Sequence, residues 1–207
     1  GDILCRAETK EGAYRLLARA RQSRSPLNNK VDFADYCLIR GLQAEPVLAV
    51  AQYGRMTRDP PAPLPQTDLF LKPVRASGGS GAERWDWIGA DRYCDPAGRR
   101  LSAAGLLAHL IERSRLRKML LQLRLRNHHA LIDLSNGALA TFRILTCLDE
   151  HEQPETVAAV LRMAVGANHT VDNIHAGGIA APVDLDSGEL GLATDLGTDS
   201  RRGRITR

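Results

Sequence analysis

The hydrophobic and polar positions of this 207-residue chain change period several times, and each change predicts an element. Residues 8–22 place Leu16, Leu17 and Ala20 on one side of an amphipathic helix. Helical spacing resumes over residues 30–42 through Val31, Phe33, Ala34, Cys37 and Leu38, with Gly41 suited to the stop. The apolar run 44–51 predicts a buried strand, and the proline-rich stretch 58–67 a surface loop, because consecutive prolines cannot join a sheet interior. Residues 68–74, the glycine cluster after them and residues 83–89 read as a hairpin with a long turn. Residues 94–100 make a turn, and Ser102 can cap a helix whose apolar face carries Leu106, Leu107, Leu110 and Ile111.

Near residue 121 the period drops to two. Leu121, Leu123 and Leu125 alternate with Gln122, Arg124 and Arg126, which argues for a strand. Residues 140–148 and 155–164 are strand-like and joined by a polar turn, so an antiparallel pair is expected. A glycine-punctuated loop, a short strand and a turn follow over 171–190. Helices come first, then strands with one interposed helix, then more strands. That order predicts an α+β fold rather than an alternating parallel one.

Composition changes this picture little. Hydrophobic residues at 43 % and charged residues at 25 % are ordinary for a globular protein, with room for one domain or two small lobes. Aromatics are only 4 %, so the core must rest on aliphatic residues. No apolar run reaches membrane-span length and the N-terminus has no signal-peptide pattern. Cys5, Cys37, Cys94 and Cys147 stand far apart, which predicts free thiols and a cytoplasmic setting.

Charge raises a second reading. The formal net charge is +4, with a pI near 9.1, and much of the excess lies in residues 113–126 and 201–207. A basic module that binds nucleic acid or another anionic polymer through Arg113 to Arg126 would fit. Its affinity would fall steeply with salt, and the scarcity of aromatics speaks against stacking on single strands. Nucleic acid is therefore not the expected partner.

Three features carry candidate chemistry. In "LFLKPVRASGGSGA", Lys72 shares a strand face with Phe70, opposite Leu69 and Leu71. Burying an unpaired ammonium is costly, and a bound phosphate would offset that cost. The glycines that follow can turn several backbone N–H groups toward one anion. A lysine whose amine reaches solvent beside a flexible turn satisfies the same pattern. Second, Arg143 and Arg162 lie on the two strands expected to pair, and each guanidinium can donate two parallel hydrogen bonds to a phosphate. Third, "DNIHAGG" at 172–178 offers Asp172, Asn173 and His175 beside paired glycines, as a ligand loop or as an Asx-type turn. His175 has no second histidine or cysteine at metal-ligand spacing, so zinc is not expected.

Taken in chain order, these segments resemble the ATP-grasp superfamily, and most closely its sugar-transfer associated group, which is related to α-L-glutamate ligases. The resemblance runs over residues 27–207 and is strongest in the Asn-x-x-x-Gly-Gly loop at 173–178. It implies two α+β lobes with the nucleotide between them: an N-terminal helical segment 1–26, a small lobe 27–120, and a partial catalytic lobe 121–207. It also implies that Lys30 and Lys72 contact ATP phosphates and that Ser77, Gly78, Gly79 and Gly81 cover the β- and γ-phosphates. Gln122 would line the adenine pocket, and Arg143, Arg162 and Asn173 would hold the transferring phosphoryl group. The implied reaction is ATP-dependent ligation: a carboxylate attacks the γ-phosphate, and an amine or other nucleophile captures the acyl-phosphate. The family name points to cell-surface polysaccharide synthesis.

Several positions depart from the family pattern. Leu123 follows the hinge glutamine where many relatives carry an acid, and Thr141 stands where glutamate ligases carry an acid two residues before the strand arginine. Relatives take Mg²⁺ on carboxylates and an Asn after the Gly-Gly loop, because a hard cation bridging phosphates needs oxygen ligands. No Glu-x-Asn appears before Arg207, so the metal ligands are expected beyond it and the metal-binding end is expected to be missing. Asp184, Asp186 and Glu189 belong to a strand and turn and are not assigned to the metal. A catalytically degenerate ATP-binding protein is the further alternative.

Overall fold

An asparagine starts the first helix and a glycine ends it. In the computed structural model, α1 (Lys30–Ile39) is capped by Asn29, whose side-chain oxygen accepts from the N–H groups of Val31 and Asp32. At the other end Gly41 has φ +67°, Gly41 N–H reaches Leu38 O at 3.2 Å, and Leu42 N–H reaches Cys37 O at 2.9 Å. That pair of bonds is a Schellman stop, which requires the left-handed residue that glycine supplies. The described residues are 26–76, 78–135, 137–165, 169–174 and 177–195, so the helix expected over 8–22 lies outside them, as do Ser77 and His175. The chain divides into two compact units, Gly1–Ala44, which contains α1, and Glu45–Arg207.

The second unit holds two sheets. The first has seven strands: β1 (Val47–Gln52), β2 (Arg55–Arg58), β3 (Leu69–Pro73), β4 (Glu83–Trp87), β5 (Arg92–Cys94), β6 (Arg100–Ser102) and β7 (Met119–Leu123). Their order is β2-β1-β7-β3-β4-β5-β6, with every neighbouring pair antiparallel. The late strand β7 thus inserts between two early ones, and it spans the 120/121 position at which the sequence divides the lobes. The β1–β2 hairpin turns on Tyr53 and Gly54, both with positive φ, as a two-residue type I′ turn demands. The expected β3–β4 hairpin is present, with Leu69 opposite Trp85 and Leu71 opposite Glu83.

One face of this sheet is covered by α2 (Ala103–Arg113), which Ser102 caps by accepting from Gly105 N–H at 3.1 Å. Leu106 and Leu110 pack with Leu69, Leu71, Trp85, Met119 and Leu121 in the main core. Trp85 and Trp87 both point into this core, Trp85 fully. The core has few other large side chains to fill the space under α2, and Trp85 is the largest of those fully buried.

The second sheet is the expected antiparallel pair, β8 (Thr141–Leu148) and β9 (Pro154–Met163), extended by β10 (Ile179–Val183) in the order β10-β9-β8. Its smaller core contains Leu161, Met163, Ala181 and Ala193. No helix among the described residues is long and apolar enough to cross a membrane.

Candidate functional site

The face of the first sheet opposite the main core carries the candidate lysine. β3 alternates as expected, with Leu69 and Leu71 buried in the core and Phe70 and Lys72 half-buried on the other side. Phe70 lies opposite Gln122 on one neighbouring strand and Arg84 on the other. Phe70, Lys72 and Gln122, with Arg124, Leu125, Leu139 and Thr170, line a cavity of about 130 Å³. It suits a base or one phosphate rather than a whole nucleotide. Lys72 and Gln122, 50 positions apart in the chain, are therefore brought to one cavity.

A short segment of the second sheet's surroundings gathers the remaining pieces. Thr170 lines the Lys72 cavity. Beside it, Val171 meets the glycine-rich loop: a Cβ placed on Gly79, whose φ is +75°, would stand 2.8 Å from Val171 Cγ2. Next in the chain, Asp172 accepts from Arg162 Nη2 at 2.8 Å and from the hydroxyl of Thr141. The Arg162–Asp172 pair is largely buried, with side chains 12 % and 10 % exposed. Arg162 Nε is buried with no hydrogen-bond partner, so one donor of the fork is unspent. Asn173 follows, half-buried, its carbonyl accepting from Gly178 N–H at 3.0 Å. A Cβ on Gly178 would fall 2.4 Å from Asp172 O, so only glycine lets the loop close this tightly.

Other expected residues lie differently. Arg162 is opposite Thr141, and Arg143 stands two residues further along β8, so both arginines occupy one face of the sheet. Arg143 is exposed and makes no ion pair among the described residues. Gly78 has φ +67° and open space around it, while a Cβ on Gly81 would come within 3.2 Å of Pro73 Cγ. Lys30 belongs to the first unit, where it begins α1; burial pulls its ammonium below the ordinary lysine value.

Sequence reasoning missed an ionic network beside the cavity. Asp68, just before β3, is buried and accepts from Arg124 Nη1 at 2.9 Å, Arg126 Nη2 at 2.8 Å and Trp87 N–H at 3.0 Å. Burial pushes the Asp68 carboxyl up, but the Trp87 amide, Arg126 and Arg124 together outweigh it and hold it below the usual carboxylate value. Arg124 also reaches Asp86 at 3.0 Å, and Asp86 accepts from Arg84 Nε at 2.7 Å. These groups line a second cavity of about 430 Å³ with Asn127 and Ser135, and Arg124 belongs to both cavities. The alternating Leu and Arg of residues 121–126 signalled the strand; nothing nearby in sequence announced the acids.

The same pairing bears on the basic run. Arg113 meets Glu83 at 3.0 Å, Arg115 meets Glu112 at 2.7 Å, and Arg124 and Arg126 share Asp68. Four of its arginines are thus matched by carboxylates, which leaves a weaker field for a polyanion than the sequence suggests.

For a divalent cation the fit is poor. No group of three His, Cys, Asp or Glu side chains that would hold a metal exists among the described residues. The Asp184 carboxylate is taken up by Asp186 N–H and by the N–H and hydroxyl of Ser187, which hold its pKa down.

The family described as sugar-transfer associated ATP-grasp matches residues 11–201. The chain belongs to that family, and its fold is the α+β ATP-grasp fold. Searches of curated proteins and of solved structures returned no match. Membership brings an ATP-binding, ligase-like character.

Proposed function

We propose that this protein is an ATP-dependent carboxylate ligase whose nucleotide site includes the cavity lined by Lys72, Gln122 and Thr170, which would take one part of the nucleotide. The observation that carries this reading is the run 170–173. Its successive residues touch the lysine cavity, the glycine-rich loop and the buried arginine, and then enter the Gly-Gly loop. ATP would supply its γ-phosphoryl group to a carboxylate, giving an acyl-phosphate that an amine or other nucleophile captures.

Each side chain has a role suited to its chemistry. Lys72 is a cation on an otherwise apolar strand and would set its ammonium against a phosphate. Gln122 and the neighbouring backbone would read the adenine edge. Gly78, Gly79 and Gly81, with Ser77, would present N–H groups to the β- and γ-phosphates. Arg143, Arg162 and Asn173 would stabilise charge on the transferring group. Asp172 orients Arg162 by its ion pair. No step is assigned to Mg²⁺, because the described residues do not form a site for it.

Thermal unfolding with and without Mg-ATP tests the site. At about 100 times the dissociation constant, a single-site ligand stabilises by ~2.7 kcal/mol. Mg-ATP is expected to raise the Tm of the wild type and not that of Lys72→Ala. No shift at millimolar ATP would end the nucleotide assignment. ADP release that requires an added carboxylate would then separate a ligase from a protein that only binds ATP.

A further inference from the structure

Arg84 of β4 and Arg124, the residue after β7, converge on one carbonyl. Arg124 Nη2 donates to Gly137 O at 2.6 Å, and Arg84 Nη1 donates to the same oxygen and to His169 O, each at 3.4 Å. The geometry requires glycine at 137: its φ is +80°, and a Cβ there would stand 3.2 Å from Arg84 Nη1. Both guanidiniums are held in place from behind. Asp86 accepts from Arg84 and Arg124, and Asp68 accepts from Arg124 and Arg126. Arg124 and Asp68 are only 12 % and 5 % exposed, so this is an anchored fork rather than a surface contact.

The gripped carbonyls have particular neighbours. Gly137 is two residues from Leu139, and His169 is one residue from Thr170. Leu139 and Thr170 both line the Lys72–Gln122 cavity. We propose that Arg84 and Arg124 are positioning residues: they latch the 137–139 and 169–170 segments onto the first sheet and so set the affinity of the cavity for its nucleotide. The proposal rests on the nucleotide reading of that cavity, but the latch itself does not.

Arg84 lies outside the wall of the nucleotide cavity, so Arg84→Met removes latch donors without removing a cavity group. Arg124→Lys keeps a positive charge for Asp68 and Asp86 but lacks the fork needed to reach Gly137 as well. Amide hydrogen exchange of the protein without nucleotide is the first measurement. Exchange over 137–139 and 169–171 is expected to rise in both variants, while the core strands β3 and β7 stay protected. Calorimetric titration with Mg-ATP is the second. The dissociation constant is expected to rise about fivefold in Arg84→Met, the size of one lost net hydrogen bond, and to recover in part in Arg84→Lys.

The outcomes separate cleanly. Unchanged exchange in both segments would overturn the latch, whatever happens to ATP. Raised exchange with an ATP affinity within twofold of wild type would overturn its link to the nucleotide. If the wild type binds no ATP but exchange rises in the variants, the latch stands and the nucleotide reading falls. If Arg84→Met fails to fold, Arg84→Lys and Arg124→Lys carry the same exchange test.

Discussion

Asp68 gathers two arginines and a backbone amide on one buried carboxylate. Its carboxylate is held below its ordinary pKa by the Trp87 amide and two arginines, against the opposing push of burial. A depressed folded-state pKa means that the ionised group stabilises the fold above the unfolded value and loses that contribution as pH falls through the folded one. Stability is therefore expected to drop as pH falls below about 4, the unfolded value for Asp. In Asp68→Asn this acid limb should be flatter and the neutral-pH Tm lower, as read by thermal scans from pH 7 to pH 3. The glycines make a second case. Gly178→Ala places a methyl 2.4 Å from Asp172 O, so it is expected to destabilise by about 2 kcal/mol, in the range for overpacking, measurable by urea unfolding. The glycine clusters were visible in the sequence because their composition is local. Asp68 was not, because its partners Arg124 and Arg126 are 56 and 58 positions away.

Elements with a clear period were legible, and those without one were not. α1, α2, the β3–β4 hairpin and the β8–β9 pair all appear where the pattern places them. The missed strands are β2, β5 and β6, which have three or four residues each, too few to show an alternation. β7 is instructive in another way. Its alternation begins only at Leu121, because Met119, Leu120 and Leu121 are all buried where the strand runs through the middle of the sheet. For α2, Ser102→Ala is expected to cost about 1 kcal/mol by removing the hydroxyl that accepts from Gly105, again by urea unfolding. Ser114 at the other end ties the helix to the first hairpin, donating to Ile111 O and accepting from Gly54 N–H. That connection joins residues 60 positions apart, and no local pattern encodes it.

At the scale of the whole molecule, the order of the candidate segments carries more than the charge of the basic run does. Lysine strand, glycine loop, glutamine strand, arginine strands and Gly-Gly loop occur in sequence, and the fold brings members of each group to segment 169–173. The basic run looks like a polyanion surface in the sequence because Glu83 and Asp68, which pair with Arg113, Arg124 and Arg126, lie far from it in the chain. With those arginines paired, binding to single-stranded DNA is expected to be weak at 0.15 M salt. A fluorescence anisotropy titration measures this, and tight binding with a steep salt slope would favour the polyanion reading instead.

The two tryptophans give the molecule a built-in pair of optical reporters. Trp85 is dry, with the Arg99 guanidinium 4.6 Å above its ring and His109 edge-on at 5.6 Å. Trp87 is half-buried, lines the charged cavity and gives its backbone N–H to Asp68. Iodide or acrylamide added to solution should therefore dim one emitter and spare the other. In Trp85→Phe the remaining signal would come from Trp87 alone, whose indole packs against the main core and donates to Ala90 O at 3.0 Å, so its spectrum would report on the loosening of that edge of the core.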